Sequence, residues 1–272
     1  MVLFGGFAGS RGTGTVENCY NTGNIIAGAN AERVGGICGN MLANVKNCYN
    51  LGKIEGGNVF IGGIAGYLSG DMTNCYNKGE INSTATSIGG MAGVICESNI
   101  ENCYNLGKIN GKKEVGGIVG SVRYSDDEIQ ESKINNCYNE GKIIGTEDNV
   151  GGIIGDINSA SGAGQIIGET TNNYNKGEIT GKSAVGGIIG RTDNSVFGIK
   201  NCYNKGKVAG DEKIGAVIGE QVNSNENVTN LFYLKSIGIG AINGEDNASK
   251  NITGVDDNID TYQDFLKWIA DI

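Results

Sequence analysis

Three groups of residues in this 272-residue chain have the types and spacing that chemistry requires. The first is an acidic, serine-rich stretch, Ser125-Asp126-Asp127-Glu128 with Glu131, next to Arg123 and followed at later positions by Asp156, Arg191 and Asp193. Paired carboxylates beside an arginine equip many polysaccharide-cleaving enzymes, as an acid–base pair or as a calcium-holding cluster. A solvated surface loop has the same composition, and that plainer reading is the expected one here. The second group is the cysteines. Six of the eight stand in a recurring Asn-Cys-Tyr-Asn, at 19, 48, 75, 103, 137 and 202, with Cys38 and Cys96 outside it. An even count at regular spacing suits a disulfide framework, but such frameworks belong to small domains that lack a core. No Cys-x-x-Cys pair points to a metal. A stacked row of buried thiols is expected, with occasional disulfides between neighbours and neither metal nor cofactor. The third group is Tyr20, Tyr49, Tyr76, Tyr104, Tyr138, Tyr174 and Tyr203, one after each Cys slot. If Cys points inward, alternation turns Tyr outward as an aromatic strip for sugar rings or a protein partner. A corner between Asn and Cys would instead pack the tyrosines on one another, which is the preferred reading. The candidate ligand face is therefore these seven tyrosines with Arg123, Asp126 and Asp127, and no residue is assigned a catalytic role.

The elements that hold these residues follow from repetition. Asn-Cys-Tyr-Asn occupies 18–21, 47–50, 74–77, 102–105, 136–139 and 201–204. Asn172-Asn173-Tyr174-Asn175 and Asn230-Leu231-Phe232-Tyr233 are degenerate copies. Between copies lies apolar-Gly-Gly-apolar-x-Gly, read as VGGICG at 34–39, IGGIAG at 61–66, IGGMAG at 88–93, VGGIVG at 115–120, VGGIIG at 150–155 and 185–190, and IGAVIG at 214–219. Cys19, Cys48, Cys75 and Cys103 are separated by 29, 27 and 28 positions. That period is too short for propeller blades, and Gly-Gly in each unit would break helical repeats. Short strands with tight corners fit it, so the chain reads as an all-β parallel β-solenoid of seven to eight coils of about 28 residues. Asn-x-Gly after each Tyr is a turn, because Asn bonds the backbone two residues on and Gly accepts unusual φ. Inward ladders are expected from Ile25, Ile54, Ile81, Ile109, Ile143, Ile179 and Val208, and from Val16, Val45, Met72, Ile100, Ile134 and Ile199. Insertions gather at one corner, in 121–133 and 156–170, and would project from one face.

Composition closes several alternatives. There is no histidine, which removes the commonest general base and the Ser–His and Cys–His dyads. A net charge of −9 and a pI near 4.7 argue against nucleic acid. Glycine supplies 48 of 272 residues, about 18% against the roughly 7% of ordinary proteins, yet without collagen's period of three and without any proline. No apolar run approaches the ~18 residues of a membrane span, and MVLFGGFAGSRG is not a signal peptide.

The combination x-(V/I)-G-G-I-x-G with I-x-N-C-Y-N-x-G-x-I resembles the GLUG-motif repeats of bacterial cell-surface and secreted proteins, from about Gly5 to about Thr253. The resemblance implies an extracellular or cell-surface, adhesin-like or spacer module, sometimes joined to a separate enzyme domain, and brings no catalytic residues with it. The expected organisation is a repeat array over 1–253 that starts in mid-coil at 5–9, as part of a longer polypeptide. A C-terminal cap over 254–272 follows, with a helix at 261–270 opened by Thr261 and Asp264. The expected function is an adhesin-like surface or structural stalk without enzymatic activity, its partner a host or matrix glycan or protein. The alternative is a polysaccharide-active lyase or hydrolase on a β-helix scaffold. Ice binding is disfavoured because no regular Thr-x-Thr array runs along the repeats.

Overall fold

The computed structural model describes residues 3–5, 14–123, 131–158, 166–193, 195–222, 227–243 and 252–255. The expected helix at 261–270 and the pair Asp126 and Asp127 lie outside these residues. Within them the chain winds as a parallel β-solenoid. Like residues of successive coils pair in register, as in Tyr20, Tyr49, Tyr76, Tyr104, Tyr138, Tyr174 and Tyr203, or Ile54, Ile81 and Ile109. Parallel pairing is available because the return path of each coil supplies the crossover that two parallel strands need.

Each coil contributes to four walls. The tyrosine wall is a 15-stranded sheet that takes two short strands per coil, such as Asn44–Lys46 and Tyr49–Asn50. The isoleucine wall has seven strands, Ile54–Gly56 among them. The leading wall has eight, most of them running into Gly-Gly, as Phe60–Gly62 does. The trailing wall leaves that turn with seven, such as Ala65–Leu68.

Two details of the motif set this path. The first Asn of each tetrapeptide is left-handed, with φ between 53° and 58° at Asn18, Asn47, Asn74, Asn102, Asn136, Asn172, Asn201 and Asn230. Asn tolerates that region better than most side chains. It breaks the alternation, so that Val45 and Cys48, three positions apart, both point inward and are fully buried. The second detail is a seam through the middle of the coil. The last Asn of the tetrapeptide is buried and lies flat on the second Gly of Gly-Gly. A Cβ added to Gly63 would sit 2.6 Å from Asn77 Cγ, and one on Gly117 would sit 2.6 Å from Asn139 Cγ. The amides also bond one another along the axis. Nδ2 of Asn50 donates to Oδ1 of Asn77, Asn77 to Asn105, Asn105 to Asn139, and Asn139 to Asn175, each at 2.8 Å. The expected Asn-x-Gly turn is present too, with Asn77 Nδ2 donating to the Gly79 carbonyl at 2.8 Å.

The seam divides the interior into two apolar columns. One joins the tyrosine and trailing walls through Ile64, Leu68, Met72, Ile95, Ile100 and their equivalents. The other joins the isoleucine and leading walls through Ile54, Ile61, Ile81, Ile88 and Ile109. Each buried Ile or Val contributes about 1.5–3 kcal/mol, so the columns and not the exposed ion pairs hold the stack together.

Candidate functional site

The tyrosine row is built by register alone. Rings on paired strands stack with centroids 4.8–5.1 Å apart and planes within 1–7° of parallel, from Tyr20 to Tyr174. This is the rung spacing of the sheet itself. The interior rings therefore cover one another's faces, and the wall presents ring edges instead of flat aromatic platforms. Tyr20 at one end is 60% exposed, whereas Tyr203 at the other is 1% exposed and packs with Leu234. Burial, then the charge of the neighbouring phenol, raises the pKa of Tyr76 and Tyr104.

Six of the cysteines, at 19, 48, 75, 103, 137 and 202, form the row beneath. All eight are free thiols. Sγ of Cys75 donates to the Thr73 carbonyl at 3.3 Å and accepts the backbone N–H of Cys48 at 3.4 Å, and Cys103 repeats the pattern with Glu101 and Cys75. Burial pushes the Cys38 and Cys202 thiols up to about 12. Burial of this kind keeps a thiol in its protonated, less nucleophilic form.

The third site is a notch on the outside, where leading and trailing walls fold back at Gly-Gly. They approach so closely that a Cβ on Gly93 would lie 2.5 Å from the Ile61 nitrogen. Side chains from the two walls meet across this notch: Arg33, Phe60, Ser87, Glu114 and Lys213 from one, Asn40, Tyr67, Ser121, Asp156, Arg191 and Glu220 from the other. The inward ladders repeat, but here, as at other outward positions, the residue changes type from coil to coil. Ser87, Glu114, Ala184 and Lys213 are also left-handed, with φ of 56°, 55°, 52° and 52°. Such non-glycine positions cost about 1–3 kcal/mol each and tend to gather at functional sites.

The chemistry of the notch is graded along the axis. At one end the guanidinium of Arg33 lies 4.5 Å from the Tyr67 ring centroid, and that of Arg123 lies 4.9 Å from Phe60. Nη2 of Arg123 donates to Glu114 Oε2 and to Ser87 Oγ, both at 3.0 Å. Further along, Asp156 is 2% exposed, and its Oδ1 has no hydrogen-bond partner among the described residues. Arg191 Nη1 is 3.8 Å from that oxygen, too far for a hydrogen bond, and the same guanidinium pairs with Asp193 and Glu220. Burial, then repulsion from Glu114, pushes the Asp156 carboxyl up to about 7, against the pull of Arg191. A proton is therefore held near neutral pH on a buried acid, inside a cluster of opposite charges.

Of the charged residues noted in the sequence, the structure brings Arg123, Asp156, Arg191 and Asp193 together on the trailing wall. Glu114, Ser87, Phe60, Tyr67 and Glu220 complete the notch and were not anticipated. Their signal was present: the residue just before apolar-Gly-Gly reads Arg, Phe, Ser, Glu, Asn, Ala and Lys from unit to unit, while the motif around it stays constant.

A family model for the GLUG motif matches residues 181–209, one full coil of the array. No curated protein matches the sequence. Among solved structures, a protein from Bacteroides ovatus named "putative immunoglobulin A1 protease" superposes with a TM-score of 0.59 at 18% identity, covering 90% of this chain and 82% of that one. At that identity the likeness is one of fold. It nevertheless corrects the expectation that the chain is not an enzyme, because a protein of the same architecture bears a protease name. A coil scaffold leaves room for either role, since its ladders fix the backbone and leave outward side chains to vary. Among the described residues, no helix is long and apolar enough to cross a membrane.

Proposed function

We propose that this array of GLUG-type coils works outside the cell as an adhesin-like module that engages a host or matrix ligand, glycan or protein, through the notch. The observation that carries the reading is that side chains from two walls converge in the notch around one buried carboxylate, Asp156, whose Oδ1 has no hydrogen-bond partner among the described residues. Repetition is what the interior packing requires, so a cleft where varied, partly buried charged residues stand on left-handed backbone is a place where packing alone does not decide identity. The GLUG match supports the extracellular setting. The test is a glycan array with a matrix-protein panel, using the chain and its Glu114→Gln/Arg191→Ala double variant. Binding should fall at least tenfold in the variant while the β-sheet circular dichroism stays unchanged. A variant that binds like the parent sinks the proposal.

One observation favours a second reading, acid–base chemistry on a polysaccharide or a peptide. Asp156, half-protonated near neutral pH beside Glu114, has the pairing of an acid with a second carboxylate that hydrolysis uses. Release of reducing ends or peptide fragments, lost in Asp156→Asn, would support it. Digestion unchanged by that substitution would remove it.

A further inference from the structure

We propose that the outer face of the tyrosine wall is a second binding surface, shaped to lie along an extended β-linked glycan with one sugar ring per coil. The inference rests on the extracellular reading but not on the notch. Two neighbouring features of this wall share one axial repeat, and a polar recess lies beside them. The tyrosine rings recur every 4.8–5.1 Å over six coils. Beside them runs the row of left-handed asparagines, whose amides bond along the axis: Asn47 to Asn18 at 3.2 Å, Asn74 to Asn47 at 3.3 Å, Asn201 to Asn172 at 3.0 Å and Asn230 to Asn201 at 3.2 Å. Each such bond uses one N–H of an amide that carries two. Beyond the asparagines lies a recess of about 270 Å³ whose lining includes Asp71, Asn99, Glu101, Lys133, Asn135 and Glu169.

The shape of the partner follows from this geometry. A rigid array gains affinity rung by rung only from a ligand with the same repeat, because any mismatch accumulates along the axis. A stretched β-linked chain advances by about one rung for each ring, whereas a coiled α-linked chain curves away. The aromatic faces are already covered, so the contact is made by phenol hydroxyls, amides and carboxylates with sugar hydroxyls. The phenols of Tyr76 and Tyr104 are neutral at physiological pH, as ordinary phenols are, so each can donate and accept.

The test uses the full chain with cellulose and chitin particles, their soluble oligosaccharides of increasing length, and amylose as the coiled control. Affinity should rise with oligosaccharide length and level off near the length of the six-ring tyrosine stack. The triple variant Tyr76→Phe/Tyr104→Phe/Tyr138→Phe keeps the rings stacked and removes only hydroxyls. It should melt like the parent and bind at least tenfold more weakly. The proposal is overturned if neither particle is bound, if amylose binds as well, or if the triple variant binds undiminished. It is also overturned if sedimentation shows two copies of the chain pairing through this face. Should Glu114→Gln/Arg191→Ala abolish glycan binding that the triple variant retains, the glycan sits in the notch. The tyrosine wall is then excluded while the notch reading survives.

Discussion

At Cys137 the backbone N–H points into the coil and meets Oδ1 of Asn173 at 2.6 Å, where neighbouring coils offer a thiol. Asn173 Nδ2 in turn donates to the Ile134 carbonyl and to Thr170 Oγ1, both at 2.8 Å. The slot therefore selects for a small group that both donates and accepts, as a buried N–H demands. Cys103→Ala should cost about 1–3 kcal/mol in denaturant unfolding, because the Cys75 N–H loses its acceptor, and Cys103→Ser should cost less. Equal losses for the two would show that the slot is read by volume alone. That these cysteines are buried was legible from their small apolar character at a repeated position of a chain that has its own core. Their hydrogen-bonding duty was not, because it arises from the left-handed corner, which appears only when the chain is folded. Asp156 carries a second prediction at this scale. Its folded pKa of about 7 lies above the ordinary carboxylate value, so the folded state binds its proton more tightly than the unfolded chain. Its contribution to stability is complete below about pH 4 and is lost as pH rises through 7, with a magnitude on the order of 3–4 kcal/mol. Asp156→Asn should flatten that part of the stability–pH curve between pH 4 and 8. A curve of unchanged slope would mean that Asp156 is not buried as described.

Among the elements, the Gly-Gly turn and the tetrapeptide were separately evident in the sequence, and their period predicted a β-solenoid coil but not its four walls. What could not be read from one chain was that they touch. The second Gly is small because Asn lies against it from the opposite wall, a contact across more than half a coil. Gly117→Ala should therefore destabilise by about 3 kcal/mol or more, since its new methyl meets Asn139 and, closer still, the Gly152 carbonyl. Gly28→Ala is the control. There nothing lies within 4 Å of an added Cβ, so the melting temperature should change little. Comparable losses at both positions would discount the seam. The ion pairs between coils, such as Lys142 with Glu178 at 2.7 Å and Lys108 with Glu80 at 3.9 Å, join largely exposed side chains. They contribute about 0–1 kcal/mol each and decorate a register that the inward ladders already set.

For the molecule as a whole, stability is a sum over coils and their interfaces. Removing one complete period, residues 76–103, joins Cys75 to Tyr104 and restores every ladder. The shortened chain should fold with the same β-sheet signature and melt a few degrees lower, whereas removal of half a period should abolish cooperative melting. The charged notch resisted sequence reading because its two rows come from either side of a turn and carry no shared motif, only a shared freedom to vary. A mechanical consequence also follows from the amide seam. Its asparagines are 29, 27, 28, 34, 36 and 29 residues apart, so the coils are not equal lengths of thread. A column whose strands lie across its axis peels under tension instead of shearing. Pulled at the tips of a force microscope, the shorter turns should each release roughly 100 Å of contour and the two longer ones roughly 120 Å, at about 3.5 Å per residue. The order of long and short steps would then tell the experimenter from which end the column is unravelling.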